Sequence, residues 1–258
     1  MKLQLIKDGI RNSFLYKAYH HYRTIKDLKS WSTHDHEMLE FYSQFLSAGS
    51  LCFDVGANVG NRVKIFLELQ ANVVAVEPQH ECVKILKETF GKNLHLKIVQ
   101  TALGAYVGES EIMISNSNTI SSMSSEWVTA VQKSGRFSEY VWSKKQQVSL
   151  TTLDHLISQY GEPDFIKIDV EGFEYQVIQG LSRPISMMSL EFVPECIETT
   201  VKCIEHLENL GAIELNYSIG ESMKFFLKKW IGPEEMKKYL LESLKESPIF
   251  GDIYIKSV

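Results

Sequence analysis

Residues 53–60 read Phe-Asp-Val-Gly-Ala-Asn-Val-Gly and close a short apolar run made of Leu51, Cys52, Phe53 and Val55. The run has the length of a buried strand, the two glycines four residues apart suit a tight turn, and a helical pattern follows from Asn61 to Leu69. A strand–turn–helix corner of this kind points backbone N–H groups and the positive end of a helix at a ligand. A second acid decides what it holds. Glu77 ends the next apolar run, Asn72 to Val76, and lies 21 residues beyond Gly56. That is the distance at which a carboxylate grips a ribose hydroxyl pair in a doubly wound sheet.

Two nucleotide readings compete for the corner. The dinucleotide fingerprint G-x-G-x-x-G needs a middle glycine so that the backbone can approach a pyrophosphate. Here Asn58 occupies that place, and Asp54 sits two residues before the first glycine. A carboxylate there repels a pyrophosphate but suits a ligand carrying an ammonium and a sulfonium. D-x-G-x-x-x-G followed by a strand-end glutamate therefore reads as a pocket for S-adenosylmethionine rather than for a nicotinamide. The plain alternative is a glycine turn made only to reverse the chain.

The 258 residues suit one large α/β domain, with 44% hydrophobic and 23% charged residues. A net charge of −5 gives no general electrostatic reason to bind nucleic acid, so none is expected as a partner. Cys52, Cys82, Cys196 and Cys203 form no C-x-x-C pair and no zinc-like spacing, which suits thiols in a reducing compartment. No run reaches membrane-spanning length, and the first residues lack the continuous apolar core of a signal peptide. A cytoplasmic location is the expectation.

From Lys2 to Lys29 the chain is basic, and Leu3, Ile6, Ile10, Phe14, Ala18, Tyr22 and Ile25 share one helical face. Such a helix packs on its own domain or on a second subunit, which would give a homodimer, or lies on an anionic surface. It and a helix over His36 to Ser47 make residues 1–48 an N-terminal helical extension to a domain at 49–258. Within that domain, helices over Gln79–Phe90, Thr152–Ile157, Tyr175–Leu181 and Glu195–Leu210 alternate with strands over Leu94–Val99, Gln147–Leu150, Phe165–Val170 and Met187–Val193. The tail supplies Ile213–Ser218, a segment at Met223–Leu227, a helix after Gly232-Pro233 and a last strand at Gly251–Lys256. Alternation of this kind points to a mainly parallel sheet with helices on both faces. Ala102 to Ser115 suggests a hairpin, Ser115 to Ser125 a polar loop, and the stretch holding Trp127, Tyr140 and Trp142 is the least regular of the chain. Irregular insertions of that length are often lids or binding loops.

A second constellation, Phe165-Ile166-Lys167-Ile168-Asp169-Val170-Glu171-Gly172, puts Asp169 and Glu171 at the carboxyl end of an apolar strand. Ligands bind beyond the carboxyl ends of such strands. Asp54, Glu77, Asp169 and Glu191 are then strand-end acids aimed at one rim, where they repel one another unless a cation or hydrogen-bond donors sit among them. Helix capping by Asp169 and Glu171 is the structural alternative.

Taken in order, F-D-V-G-A-N-V-G, V-V-A-V-E-P, T-A-L-G, T-L-D-H-L and F-I-K-I-D-V-E-G-F-E resemble the FkbM-type family of methyltransferases, from about Leu51 to Val193. The resemblance implies a class I methyltransferase (Rossmann-like) fold: a seven-stranded, mainly parallel sheet with helices on both faces and an antiparallel last strand. It implies S-adenosyl-L-methionine as cofactor and methyl transfer to a hydroxyl of a small-molecule or glycan acceptor. Carried over, Asp54, Gly56, Ala57, Asn58 and Gly60 surround the methionine portion. Glu77 holds the ribose and Pro78 shapes the adenine side, with Gln100, Thr101 and Ala102 bordering the base. Many class I enzymes carry an acid there, and positions 100–102 offer none. Asp169 and Glu171 lie beside sulfonium and acceptor.

A neutral hydroxyl is a poor nucleophile, so a base is expected. Asp169 or Glu171 supplies it, or positions the cofactor while His95 or His155 does so. Magnesium would suit the two carboxylates, but a third ligand is not evident in the sequence and no metal is expected. The alternatives are a non-catalytic S-adenosylmethionine-binding protein, an N-methyltransferase acting on protein or nucleic acid, and a nicotinamide oxidoreductase.

Overall fold

Residues 14–245 and 247–258 are described by a computed structural model. The chain enters through α1 (Phe14–Lys29) and α2 (Thr33–Tyr42). The second helix starts three residues earlier than its apolar pattern suggests, because Ser32 and Asp35 form a reciprocal capping box that satisfies two end N–H groups. Leu28 is buried, and His21 meets Glu88 at 2.6 Å, so the carboxyl half of α1 rests on the parent domain. Residues 2–13, the rest of the expected amphipathic helix, lie outside the described residues. Among the described residues no helix is long and apolar enough to cross a membrane.

Strands and helices then alternate as β1 (Leu51–Val55), α3 (Asn61–Glu68), β2 (Asn72–Val76), α4 (His80–Phe90) and β3 (Leu96–Val99). After an insertion come α6 (Leu153–Tyr160), β7 (Phe165–Ile168), α7 (Glu174–Gln179), β8 (Met187–Phe192), α8 (Ile197–Leu210), β9 (Ile213–Ile219), α9 (Pro233–Tyr239) and β10 (Gly251–Ser257). The sheet runs β3-β2-β1-β7-β8-β10-β9. Pairing is parallel from β3 to β8, while β10 inserts antiparallel to both β8 and β9. This is the seven-stranded, mainly parallel sheet with an antiparallel last strand that the sequence led us to expect.

Strand periodicity of two divides the core into halves. Phe53, Val55, Ile166, Ile168 and Leu190 face one layer, with α6, α7 and α8. Cys52, Val73, Ala75 and Phe165 face the other, under α2, α3 and α4. On that second face the in-register row Asp54, Lys167, Ser189, Tyr254, Asn216 crosses the sheet as polar side chains. The apolar layer stops there, and the site begins.

The insertion between β3 and α6 contains β4 (Ala102–Leu103), β5 (Gly108–Ser115), α5 (Ser125–Ser134) and β6 (Trp142–Thr151). The hairpin suggested for residues 102–115 does not form. Both β4 and β5 pair with β6 instead, giving a separate sheet of order β4-β6-β5. The polar strand β6 carries too few apolar residues to be read as ten residues long, but its side chains are paired across the ladder. Lys145 Nζ and Gln147 Nε2 donate to the two Glu111 oxygens at 2.9 Å each.

The stretch expected to be irregular is partly helical. Ser124 caps α5, and Trp127, Val128 and Val131 from its inner face pack with Ile120 and Val193. Trp127 is buried, and Trp142 donates through Nε1 to the Ile120 carbonyl at 2.8 Å, so these indoles anchor the insertion. Trp127→Ala should lower stability by about 3–5 kcal/mol, the usual cost of deleting a buried aromatic. Urea denaturation followed by far-UV circular dichroism tests this, and a change below about 1 kcal/mol would contradict the anchoring role.

Candidate active site

β1 ends in a turn whose geometry only glycine allows. Gly56 has φ +83°, and a Cβ on it would lie 1.8 Å from the Asp169 carbonyl oxygen. The turn after β7 therefore presses directly on the turn after β1, joined also by Asp169 N–H to the Val55 carbonyl at 3.0 Å. Gly56 and Ala57 both donate to the Val76 carbonyl, which ties the same turn to β2. Asn58 follows in the left-handed region with φ +49°, a conformation asparagine tolerates better than most residues.

Three strand ends thus meet around a cleft of about 250 Å³. Asp54, Gly56, Ala57, Asn58, Glu77 and Pro78 line it, as do Thr101, Ala102, Asp169 and Glu171. Gly60 does not. It opens α3 with φ +101°, and a Cβ there would strike Leu86 and Phe90 on the far side of the loop. Its requirement is helix packing and not ligand approach. Gln100 is also turned away, with its amide on the His80 ring, leaving Gln79, Leu103 and Ile112 to complete that end. His95, at the amino end of β3 and bonded to Asn72, and His155, exposed in the first turn of α6, do not reach the cleft.

Glu77 is buried, and each of its oxygens already accepts a backbone N–H, from Asn58 and from Gln79 at 2.8 Å each. Burial dominates these bonds and pushes its carboxyl up to about 7. Asp54 is also buried, and its Oδ2 accepts no hydrogen bond from the described residues. Burial raises it to about 6, against the pull of Lys167 and Arg62. An unsatisfied buried carboxylate oxygen costs free energy in the absence of a partner, roughly 1–3 kcal/mol or more for a charged group. A cationic ligand would relieve it.

Asp169, Glu171 and Glu191 bring one oxygen each within 4.8 Å of one another. Glu191, already expected on this rim, is the third oxygen ligand that was not evident from the sequence. Such an oxygen set could hold magnesium or calcium. A cation is already at hand, however: Lys167 Nζ donates to Asp169 Oδ2 at 2.6 Å. Burial would raise Asp169, but Lys167 outweighs it and the carboxyl lies below its ordinary value. Burial and the neighbouring carboxylates raise Glu171 and Glu191 well above theirs. Glu174 staples the turn, its Oε1 accepting from Val170 N–H at 3.1 Å and Gly172 N–H at 3.2 Å.

Sequence reading missed several lining residues. Lys167 carried a signal, a lone charge inside an apolar strand. Arg62, in the first turn of α3, pairs with Glu221 from the loop after β9, and nothing local in the sequence joins those two. Thr119, Ser121 and Met123 were not among those missed: the Ser-rich piece Thr119 to Ser125 reads as an acceptor contact or a plain loop, and these three form the wall contributed by the insertion. That wall is fixed to the β7 turn. Ser122 Oγ donates to the Glu171 carbonyl at 2.6 Å, and the Trp127 ring leaves no room for a Cβ on Gly172.

Likeness to known proteins is of two kinds, in structure and in sequence. Among solved structures the chain is similar to a precorrin-6y C5,15-methyltransferase from Geobacter metallireducens GS-15, with 11% identity, 87% of each chain covered and a TM-score of 0.45. A putative O-methyltransferase from Klebsiella pneumoniae gives 9% identity, 99% and 94% coverage and a TM-score of 0.45. A putative methyltransferase from Streptococcus mutans, in complex with SAH, gives 8%, 89% and 100%, and 0.42. No curated protein matches the chain. The sequence model of the methyltransferase FkbM domain matches residues 54–217, more than half of the chain and every carboxylate lining the cleft except Glu221. The chain belongs to the FkbM family of methyltransferases, and its cofactor is S-adenosylmethionine.

Proposed function

We propose that the protein transfers the methyl group of S-adenosylmethionine to a hydroxyl oxygen of a small-molecule or glycan acceptor. One observation carries the reading: the Asp169, Glu171 and Glu191 carboxylates gather in the same cleft as Asp54 and Glu77. The residues fit the cofactor. The glycine-only approach of Gly56 to the β7 turn and the unpartnered Oδ2 of Asp54 suit the ammonium-bearing end. Glu77 suits the ribose hydroxyls, since its carboxyl lines the cleft and is held in place by backbone N–H bonds from Asn58 and Gln79. Pro78, Thr101, Ala102 and the amide of Gln79 would flank the base, in place of the acid many class I enzymes have there.

When bound, the cofactor supplies an electrophilic methyl on a sulfonium. The chain's part is alignment and proton removal. Asp169, kept ionised by Lys167, faces the sulfonium side. Glu171 or Glu191, each raised above its ordinary value by burial and by the neighbouring carboxylates, is positioned to take the hydroxyl proton as the oxygen is methylated. Thr119 and Ser121 offer hydroxyls to a polar acceptor, with Met123 and Phe173 as its apolar wall.

Methyl-13C-labelled cofactor incubated with neutral glycosides and phenols should yield O-methyl carbon signals by NMR. N-methyl products from amines or peptides alone would favour the N-methyltransferase reading instead. If Glu191 is the base, Glu191→Gln should lower turnover by about 10²–10⁴-fold, the worth of a positioned acid–base group, and Asp169→Asn should lower it by removing the anion beside the sulfonium. Activity that is lost in chelator and restored by magnesium would give the three carboxylates to a metal.

Cofactor affinity should also depend on pH. Asp54 and Glu77 hold protons up to about pH 6 and 7 in the free protein and must lose them to meet a cation and a ribose. Binding therefore strengthens as pH rises from 5 to 8, by up to about tenfold per pH unit for each such group, with protons released. The same shifts make the ligand-free fold less stable as pH rises from about 4 to about 7, because the folded state holds protons that the unfolded chain has lost. Calorimetry in buffers of different ionisation enthalpy measures both; affinity flat across this range would rule out the two assignments.

A further inference from the structure

We propose that Lys167 is a positioning residue for the transfer: it holds the Asp169 carboxylate as the fixed anion of the cleft, and so leaves the mobile proton to Glu171 and Glu191. The inference rests on the reading of the cleft given above.

The geometry singles out this residue. Lys167 lies in the middle of β7, in register with Asp54 on one side and Ser189 on the other, and its side chain is 2% exposed. An ammonium carries three donors. Among the described residues, Lys167 Nζ has one hydrogen-bond acceptor, Asp169 Oδ2 at 2.6 Å, although Ser189 Oγ beside it has no partner. A purely structural ion pair in this place is poorly motivated, since an apolar side chain of like volume is often as stable as a buried pair. The bond instead joins a rigid strand to the turn that the insertion also grips, through Ser122 on the Glu171 carbonyl.

Charge allocation points the same way. Three carboxylates within 4.8 Å cannot all ionise freely, and a cation fixed on one member decides which stays charged. Burial would raise Asp169, but it lies below its ordinary range, with Lys167 the foremost lowering influence and Arg62 and a hydrogen bond with Glu191 adding to it, while Glu171 and Glu191 lie above theirs. The other groups that face Lys167 are Tyr42 from α2, Asp54 from β1, Arg62 from α3 and Asp252 from β10, with Glu221 from the loop after β9. Arg62 is taken by Glu221, so it does not replace Lys167 at Asp169.

The test needs no acceptor. Carbon-13 carboxyl NMR on aspartate-labelled protein, with the Asp169 signal assigned by its loss in Asp169→Asn, reads the charge directly. In the wild type that carboxyl should titrate below the ordinary aspartate value. In Lys167→Met its midpoint should rise by about 1–3 pH units, the range attributed to a neighbouring cation. Lys167→Arg, which keeps the charge, should restore most of the difference. A folded Lys167→Met with the midpoint unmoved would overturn the proposal, as would a wild-type Asp169 that titrates above pH 5. Should Lys167→Met not fold, the wild-type and Lys167→Arg titrations decide it alone.

A second readout separates positioning from structure. The ratio of affinities for S-adenosylmethionine and for S-adenosylhomocysteine, which lacks the sulfonium charge, should rise by up to about tenfold with pH in Lys167→Met as its Asp169 ionises, and stay flat over the same range in the wild type, whereas a general loosening leaves the ratio independent of pH. A pH-independent ratio in Lys167→Met would count against Lys167 as a positioning residue. Failure of the wild type to bind either ligand would instead remove the reading of the cleft, while the Asp169 titration would keep its meaning.

Discussion

The contact between two strand-end turns underlies everything else in this molecule. Gly56 comes so close to the Asp169 carbonyl that no side chain fits between them. Because of that approach, a cofactor corner at β1 and an acidic turn at β7 become one cleft and not two neighbouring loops. The constraint acts through the sheet as well, since β1 and β7 are paired in parallel and end at the same level. Any residue with a Cβ at position 56 must push the two turns apart, and with them Asp54 from Asp169.

A cleft assembled this way collects charge of one sign. Asp54, Glu77, Asp169, Glu171, Glu191 and Glu221 face it, against Arg62 and Lys167. Burial makes each carboxylate costly, and mutual repulsion adds to the cost. The protein resolves this unevenly. Asp169 and Glu221 have cations and lie low, while Asp54, Glu77, Glu171 and Glu191 lie high. The outcome is a cleft in which Asp54 and Glu77 hold protons up to about pH 6 and 7, as a site awaiting a cationic ligand would under the proposed reading. Net charge alone, −5 over the whole chain, reveals nothing of this concentration.

The parts of this arrangement legible in the sequence were those governed by local rules. Glycines at a strand end, an acid closing each of two apolar runs and alternation of strands with helices fixed the sheet and brought Asp54, Glu77 and Asp169 to one rim. What escaped was long-range or ambiguous by nature. Gly60 has the spacing of a ligand-facing glycine, yet it is required by Leu86 and Phe90 of a later helix. Glu191 was expected on the rim, but its approach to Asp169 and Glu171 depends on the pairing of β8 with β7. In the insertion the Gln147–Leu150 end of β6 was legible and the rest of that strand was not, because it is polar and gains its order from β5, across a span whose apolar residues build a small core of their own.

That insertion bears on selectivity as well as stability. It reaches the cleft with Thr119, Ser121 and Met123, and is fastened to the β7 turn by Ser122 and Trp127. A wall fastened there cannot shift without moving the Glu171 backbone, which already sits in the left-handed region at φ +53°. The residue expected to take the proton and the surface expected to meet the acceptor are thus parts of one rigid unit. In such a unit the fit of the acceptor sets the distance between its hydroxyl and the carboxylate. Discrimination among acceptors should therefore be expressed in the transfer step, where binding energy counts most, and not in affinity alone.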